Sequence, residues 1–368
     1  MNAYPIQTIC EAVGGELMAG DATRDVSGGV STDTRQIPSG ALFVALAGER
    51  FDAHDFLADA VAAGAAAVLV SRVPEGFDAG AAAVIKVGDT LHALQRLARW
   101  YRDELGMPVV GITGSNGKTS TKDFVASVLR QRYCVTATEG NLNNHIGVPL
   151  TVLSATEDDE VLVVEMGMNH AGEIAPLCEI ARPHIGLITN IGTAHIEYLG
   201  SKEAIAEEKG ALARSLPEVG TFLVPAGCEY VEYFTKRTLA KTVTVGNGRG
   251  MIRAEGIRFD EAGVTFSLVV DGRGSAPVRL ALSGRHMVNN ALLAAGAGVA
   301  LGMPLEEVVA GLEKAEVTAG RLRRFEVGGV TVFDDTYNAN PDSMKAAVEA
   351  LVETPGKNGC TKTVSYTH

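Results

Sequence analysis

The 368-residue chain is 46% hydrophobic and 21% charged, with 32 basic against 44 acidic residues and a formal net charge of −12. That length suits two or three well-filled domains, and that balance excludes a disordered chain and offers nothing to nucleic acid or an anionic membrane surface. A phosphorylated ligand must therefore be gripped by local donors.

Five scattered cysteines (Cys10, Cys134, Cys178, Cys228, Cys360) have no CxxC spacing and read as reduced thiols. The start, MNAYPIQTIC, has neither a basic flank nor an apolar core, and the longest apolar stretch, 58–70, is short for a membrane span and carries Asp59 and Gly64. The expectation is a cytoplasmic protein with no membrane insertion and no nucleic-acid partner.

In residues 1–85, short strand-like runs (41–46, 67–70) alternate with Ala-rich helix-like segments. The polar run SGGVSTDTRQIPSG offers Ser31, Thr34 and Arg35 as a ligand rim, and the loop GERFDAHDF gathers Arg50, Asp52, His54 and Asp55. On composition alone, turn chemistry and helix capping are the favoured explanation of that second loop, and its spacing identifies no ligand. Asp89 then caps an amphipathic helix with Leu91, Leu94, Leu97, Ala98 and Tyr101 on one side.

Residues 86–318 are organised around MPVVGITGSNGKTS, whose order is strand, glycine-rich loop, helix. Thr113, Gly114, Ser115, Asn116 and Gly117 form the loop, Lys118 is placed to reach outer phosphates, and the Thr119 hydroxyl suits Mg²⁺. It is a variant of the strict phosphate-loop pattern, because Ile112 stands where that pattern has glycine. Alternating apolar strands and helices follow, predicting a parallel sheet with ligands beyond its carboxyl ends. There Glu165 ends the buried run 161–164 as a candidate Mg²⁺ ligand, and His195 follows a third strand. Lys209, amid Glu207 and Glu208, reads from charge pattern as a solvated helix face. Asn141, Asn143 and Asn144 suit sugar, peptide or phosphate recognition, or a plain polar turn. Residues 251–283 alternate with period two, predicting antiparallel strands, before a buried helix carrying Asn289 and Asn290 and a second entered at Pro304.

From 319, Arg321, Arg323 and Arg324 precede one strand (330–333), Asp335, Tyr337, Asn338 and Asn340 follow it, and a helix (341–351) comes next. One strand and one helix bury no core alone. The expectation is that 319–356 begins a further α/β domain and that 357–368 is a non-native tail.

The runs STDTRQIPSGALFVAL, GITGSNGKTSTKD, GNLNNHIGVPLTVL, EMGMNHAGEI, NIGTAHIEYLGSKEAIAEEKG, GRHMVNNALLAA, GRLRRFE and DDTYNANPDSM stand in family order. On them the chain resembles the Mur ligase family of peptidoglycan synthesis, and TYNANP with NLNNHIGVP points to its D-alanyl-D-alanine-adding branch. The resemblance implies an α/β protein with an N-terminal UDP-substrate domain, a central P-loop parallel-sheet ATPase domain with an antiparallel extension, and the start of a C-terminal α/β domain. It implies ATP, two Mg²⁺ ions, UDP-N-acetylmuramoyl-tripeptide and D-Ala-D-Ala, and a monomer. It further implies that Lys118, Thr119 and Glu165 serve the γ-phosphate and one Mg²⁺, with His195 and a carbamylated Lys209 at the second. Asn290 matches the adenine contact, although Met287 stands where the pattern has asparagine. Arg321 and Asp335 match residues closing over the nucleotide. Ser31, Thr34, Arg35, Asp52, His54, Asn141, Asn143, Asn144, Tyr337, Asn338 and Asn340 fall to the substrates. A sibling or folylpolyglutamate-type ligase, or a non-catalytic nucleotide-binding module, remain alternatives. With little of the closing domain in the chain, ATP and UDP-sugar binding without turnover is also an expectation.

Overall fold

The computed structural model describes residues 1–48, 50–282, 284–328, 330–354 and 362–364; of the expected tail, all but 362–364 lies outside the described residues. Two compact units emerge, one of residues 1–107, 138–162 and 179–182, the other of 108–137, 163–178 and 183 onward. No helix among the described residues is long and apolar enough to cross a membrane.

The first unit carries a five-stranded sheet in the order Glu16–Ala19, Ala83–Lys86, Ala67–Val70, Leu42–Val44, Val30–Ser31. Its last four strands run parallel, and the first is antiparallel to its neighbour. Ala67–Val70 and Leu42–Val44 are buried at every residue, as continuous apolar runs covered on both faces must be. The helix Thr90–Leu105 starts where Asp89 accepts the His92 N–H at 2.8 Å and stops at Gly106, in the left-handed conformation. Its buried face includes Leu94, Leu97, Ala98 and Tyr101, as the spacing predicts. This helix and residues 138–162, both within the 86–318 stretch of the sequence, fall in the first unit.

The second unit is built on a nine-stranded sheet. From one edge the order is Gly274–Leu280, Gly263–Val270, Ile252–Asp260, Lys241–Asn247, Thr221–Pro225, Ile185–Ile188, Val109–Thr113, Val161–Glu165 and Val135–Ala137. Val109–Thr113, Ile185–Ile188, Thr221–Pro225, Lys241–Asn247 and Ile252–Asp260 pair in parallel, whereas Ile252–Asp260, Gly263–Val270 and Gly274–Leu280 form the expected antiparallel extension. Val109–Thr113 lies seventh in that order, between Ile185–Ile188 and Val161–Glu165, so the glycine-rich loop leaves the sheet flanked by the ends of those two strands.

One element differs from expectation. The expected strand at 330–333 is present as Val330–Asp334, but a second strand, Arg323–Val327, precedes it and pairs with it as an antiparallel hairpin, followed by the helix Pro341–Glu353. Arg323, Arg324 and Glu326 in the first strand hide it, because a largely exposed ribbon needs no apolar alternation.

Tyr101 is fully buried, donating its hydroxyl to the Ala155 carbonyl at 2.8 Å and accepting the Asn2 N–H at 3.0 Å. Tyr101→Phe keeps the ring but strands both partners, and is expected to cost about 1–3 kcal/mol in urea unfolding.

Candidate functional site

Buried strand Val109–Thr113 feeds residues 114–117 and then the helix Lys118–Leu129. Gly114 has φ +151° and a side chain there would collide with Thr189; Gly117 has φ +78°, and a Cβ would come within 2.9 Å of Asn290 Oδ1. Both positions therefore demand glycine. The neighbouring strand end pins the loop: Ser115 N–H donates to Asn190 O at 3.1 Å, Asn116 N–H to Asn190 Oδ1 at 2.8 Å, and Thr189 Oγ1 to Asn116 O at 2.5 Å. Thr113 Oγ1 donates to the Met166 carbonyl at 2.8 Å. The helix begins at Lys118, so its first amides have no intrahelical carbonyl and present an anion site. Among the described residues, Asn116 Nδ2 and Arg321 Nε are buried donors without a hydrogen-bond partner, which phosphate oxygens would satisfy.

Lys118 Nζ donates to the Gly114 carbonyl at 3.0 Å, and Lys209 Nζ donates to the same oxygen at 3.1 Å. Lys209 is 1% exposed, so the solvated-face reading is corrected: it points inward from the helix Lys202–Ser215. Glu208 is buried too, accepting the Gly172 and Ile174 N–H groups at 2.7 Å each. A local charge pattern cannot reveal which face of a helix a sheet will cover. Burial, then the neighbouring Lys118 charge, pulls the Lys209 ammonium well below its ordinary pKa. Burial also lowers Lys118, opposed by Glu165 and reinforced by Arg321. His195 is lowered by burial first and then by the Lys118 and Lys209 charges. It sits at φ +64°, heading the short helix Ile196–Leu199.

Glu165, 2% exposed, ends its strand, and Thr119 is 7% exposed on the first helical turn. No group of three His, Cys, Asp or Glu side chains able to hold a metal occurs among the described residues. A hydroxyl and a carboxylate beside a phosphate loop nonetheless fit Mg²⁺, which takes few protein ligands and completes its shell with phosphate and water. His195 and Lys209 fit a second cation only if the lysine amine becomes an anionic oxygen ligand.

Residues beyond 319 reach this loop. Arg321 Nη2 donates to Thr119 Oγ1 at 3.4 Å, and its guanidinium carbon lies 4.0 Å from the Tyr337 ring centre. Asp335 accepts the Leu322 N–H at 3.2 Å, and burial raises its pKa. Asn340 donates from Nδ2 to Asn116 Oδ1 at 2.6 Å, whereas Asn338 only accepts the following Ala339 N–H.

Beside the loop, the ends of three adjacent strands and the helix Arg285–Ala300 enclose a cavity of about 330 Å³, lined by Asn190, Lys202, Tyr230, Asn247, Arg249 and Asn289 among others. Asn247 Oδ1 is buried there without a hydrogen-bond partner, an acceptor suited to an amino group. Sequence reading missed Asn190 and Asn247. Their signal was available, since each falls at or just past a strand's carboxyl end, as Glu165 does. Asn290 abuts Gly117, with Nδ2 3.8 Å from Met287 Sδ.

In the first unit the candidate residues are engaged locally. Ser31 Oγ donates to the Asp33 carbonyl at 3.1 Å. Asp33 caps the short helix Thr34–Gln36 and pairs with Arg35 at 2.6 Å. Asp52 accepts the His54 N–H at 2.9 Å, meets its Nδ1 at 2.5 Å, and pairs with Arg72 at 3.0 Å. Buried His54 accepts the Ser71 N–H on Nε2 at 2.9 Å. Asn144 Oδ1 accepts the Ile146 and Gly147 N–H groups, Asn143 donates its N–H to the Asn141 carbonyl, and Asn141 and Asn144 are exposed.

The chain is similar to known proteins along most of its length. The family described as Mur ligase middle domain matches residues 112–298, and that described as Mur ligase family, catalytic domain, matches 27–102. The UDP-N-acetylmuramoyl-tripeptide--D-alanyl-D-alanine ligase of Bacillus subtilis is 41% identical over 351 residues, spanning 94% of this chain and 74% of its own length. The Escherichia coli protein of that name is 39% identical over 369 residues, spanning 97% and 78%. A crystal structure of MurF from Acinetobacter baumannii superposes with a TM-score of 0.90 at 34% identity, covering 97% of this chain and 78% of that one. A MurF ligase structure from Thermotoga maritima, in complex with ADP, gives 0.80 at 29% identity, covering 89% and 75%.

The Asp52 carboxyl is held at a pKa of about 2, against an ordinary 3.8, chiefly by the His54 N–H. Its folded-state pKa is depressed, so its contribution is complete above about pH 4 and is lost as pH falls towards 2. The stability gap between wild type and Asp52→Asn is therefore expected to be constant from neutrality to about pH 4 and to close below it, measured by denaturant unfolding across that range.

Proposed function

The chain belongs to the Mur ligase family, and on that premise we propose that it is the ATP-dependent, ADP-forming ligase that joins D-alanyl-D-alanine to UDP-N-acetylmuramoyl-tripeptide in peptidoglycan precursor synthesis. The observation that carries this reading is the 41% identity across 94% of the chain to a ligase of that name. A half-buried lysine, a fully buried lysine and a buried carboxylate at the mouth of a glycine-rich loop support it chemically. In this reading residues 1–85 hold the UDP-sugar peptide, 86–318 hold ATP, and 319–356 close over the nucleotide.

The substrate's terminal carboxylate attacks the γ-phosphorus and ADP leaves; the dipeptide amine then attacks the acyl carbon and phosphate leaves. Carboxylate and triphosphate repel each other, so positive charge must sit between them before the first step. Lys118 supplies part of it, Thr119 and Glu165 would hold one Mg²⁺, and His195 with a carbamylated Lys209 would hold a second. The metal, when bound, adds charge neutralisation at the phosphates. Carbamylation needs a neutral amine, and burial beside Lys118 favours that form of Lys209. The Asn247 cavity, with Asn290 near the loop, takes the base. Arg321 and Asp335 close over the nucleotide. Ser31, Thr34, Arg35, Asp52, His54, Asn141, Asn143 and Asn144 serve the UDP-sugar peptide, while Tyr337, Asn338 and Asn340 serve the dipeptide side.

Phosphate release is expected to require both UDP-N-acetylmuramoyl-tripeptide and D-Ala-D-Ala, with glutamate and diamino acids failing as substitutes and the pentapeptide mass appearing as product. Release indifferent to the UDP-sugar peptide would identify a plain NTPase instead. Lys118→Ala should lower turnover by about 10²–10³-fold. With ¹³C-labelled bicarbonate, the wild-type chain should give a carbamate carbon resonance that Lys209→Arg lacks.

A further inference from the structure

Helix Pro341–Glu353 begins with a capping box in which Asn340 Oδ1 accepts the Ser343 N–H at 2.9 Å and Ser343 Oγ accepts the Asn340 N–H at 3.0 Å. Such a box fixes the Asn340 side chain. Its remaining donor, Nδ2, reaches Asn116 Oδ1 in the phosphate loop, 224 residues earlier in the chain. Two residues on, Asp342 Oδ2 accepts both the Thr193 N–H at 2.7 Å and Thr193 Oγ1 at 2.9 Å. Adjacent Gly192 donates its N–H to Ser115 Oγ at 2.9 Å. Its close fit is steric: a Cβ on Gly192 would lie 2.6 Å from Asp342 Oδ2 and 3.4 Å from Ser115 Cβ. Two routes thus run from one helical turn to two consecutive residues of the loop, one through Asn116 and one through Thr193, Gly192 and Ser115.

We propose that Asp342 is a positioning residue for the nucleotide: by holding Thr193 and Gly192 against Ser115, alongside the Asn340–Asn116 bond, it sets the phosphate loop in its binding shape. The proposal rests on the ATP reading above. In this role Asp342 acts on the loop through Thr193 and Gly192, not by a bond of its own to the loop. Nothing local to GITGSNGKTS announces it, because the loop's shape is completed from 149 residues beyond Thr193.

The test is calorimetric titration of the full chain with ADP, alongside urea unfolding, for wild type, Asp342→Ala, Asp342→Asn, Gly192→Ala and the Asp342→Ala/Gly192→Ala double variant. Asp342→Ala is expected to weaken ADP binding at least about 10-fold, within the range of site-to-site coupling. Asp342→Asn keeps the shape and one acceptor oxygen and should recover part of that loss. Gly192→Ala should weaken binding on its own and add little in the double variant, since the clash is with the side chain already removed. A merely structural role predicts parallel falls in unfolding midpoint without partial rescue by asparagine or non-additivity. ADP affinities for Asp342→Ala and Gly192→Ala within about twofold of wild type would overturn the proposal. A wild-type chain that fails to bind ADP, or that binds it equally well as Lys118→Ala, overturns the ATP reading instead.

Discussion

Two lysine amines share one carbonyl oxygen. Lys118 and Lys209 both donate to Gly114 O, one from the helix the loop leads into and one from a helix 91 positions later in the chain. Two ammonium groups bonded to one oxygen repel each other, and burial adds to that cost. The arrangement is tolerable only with compensation, from loss of a proton, from the Glu165 carboxylate or from an anion. A triphosphate answers that requirement, and so does conversion of the more buried amine into a carbamate. The site thus gathers local donors and cationic groups in a protein of net charge −12, as holding a polyanion would require.

Around that point the architecture supplies donors from many directions. Asn190 braces Ser115 and Asn116 from the neighbouring strand end, Thr189 fills the space over Gly114, and Asn290 packs on Gly117. Each of these side chains stands where a parallel strand or a covering helix meets the carboxyl edge of the sheet, the place where ligands collect in open α/β sheets. The hairpin and helix after residue 322 complete the ring through Asn340 and Asp342, while Arg321 stacks on Tyr337 and reaches Thr119. The loop's conformation is thus a shared property of segments far apart in sequence.

The first unit uses its polar residues differently. Asp52, His54, Ser71 and Arg72 form one bonded group, and Asp33 with Arg35 another, so caps and turns account for much of what looked like a ligand rim. Thr34 lies within one of those capped turns, and Asn144 spends its side-chain oxygen on the start of a helix. A short polar side chain in a loop satisfies nearby backbone first, and ligand contacts fall to the atoms left over.

Amino-acid order alone determined the strand–loop–helix unit at 109–129, the parallel alternation that follows, the antiparallel extension after 251 and the helix capped by Asp89. Those features follow from local periodicity, glycine placement and capping, all of which operate over a few residues. Tertiary structure decided which face of Lys202–Ser215 is covered, and so turned Lys209 from an apparent surface charge into a buried amine. It alone revealed the Asn247 cavity, the brace from Asn190 and the reach of Asp342, and it gave the expected strand near 330 a hairpin partner at Arg323–Val327. The reason is physical: burial and long-range hydrogen bonds depend on which segments meet in space, and no window of sequence contains both partners.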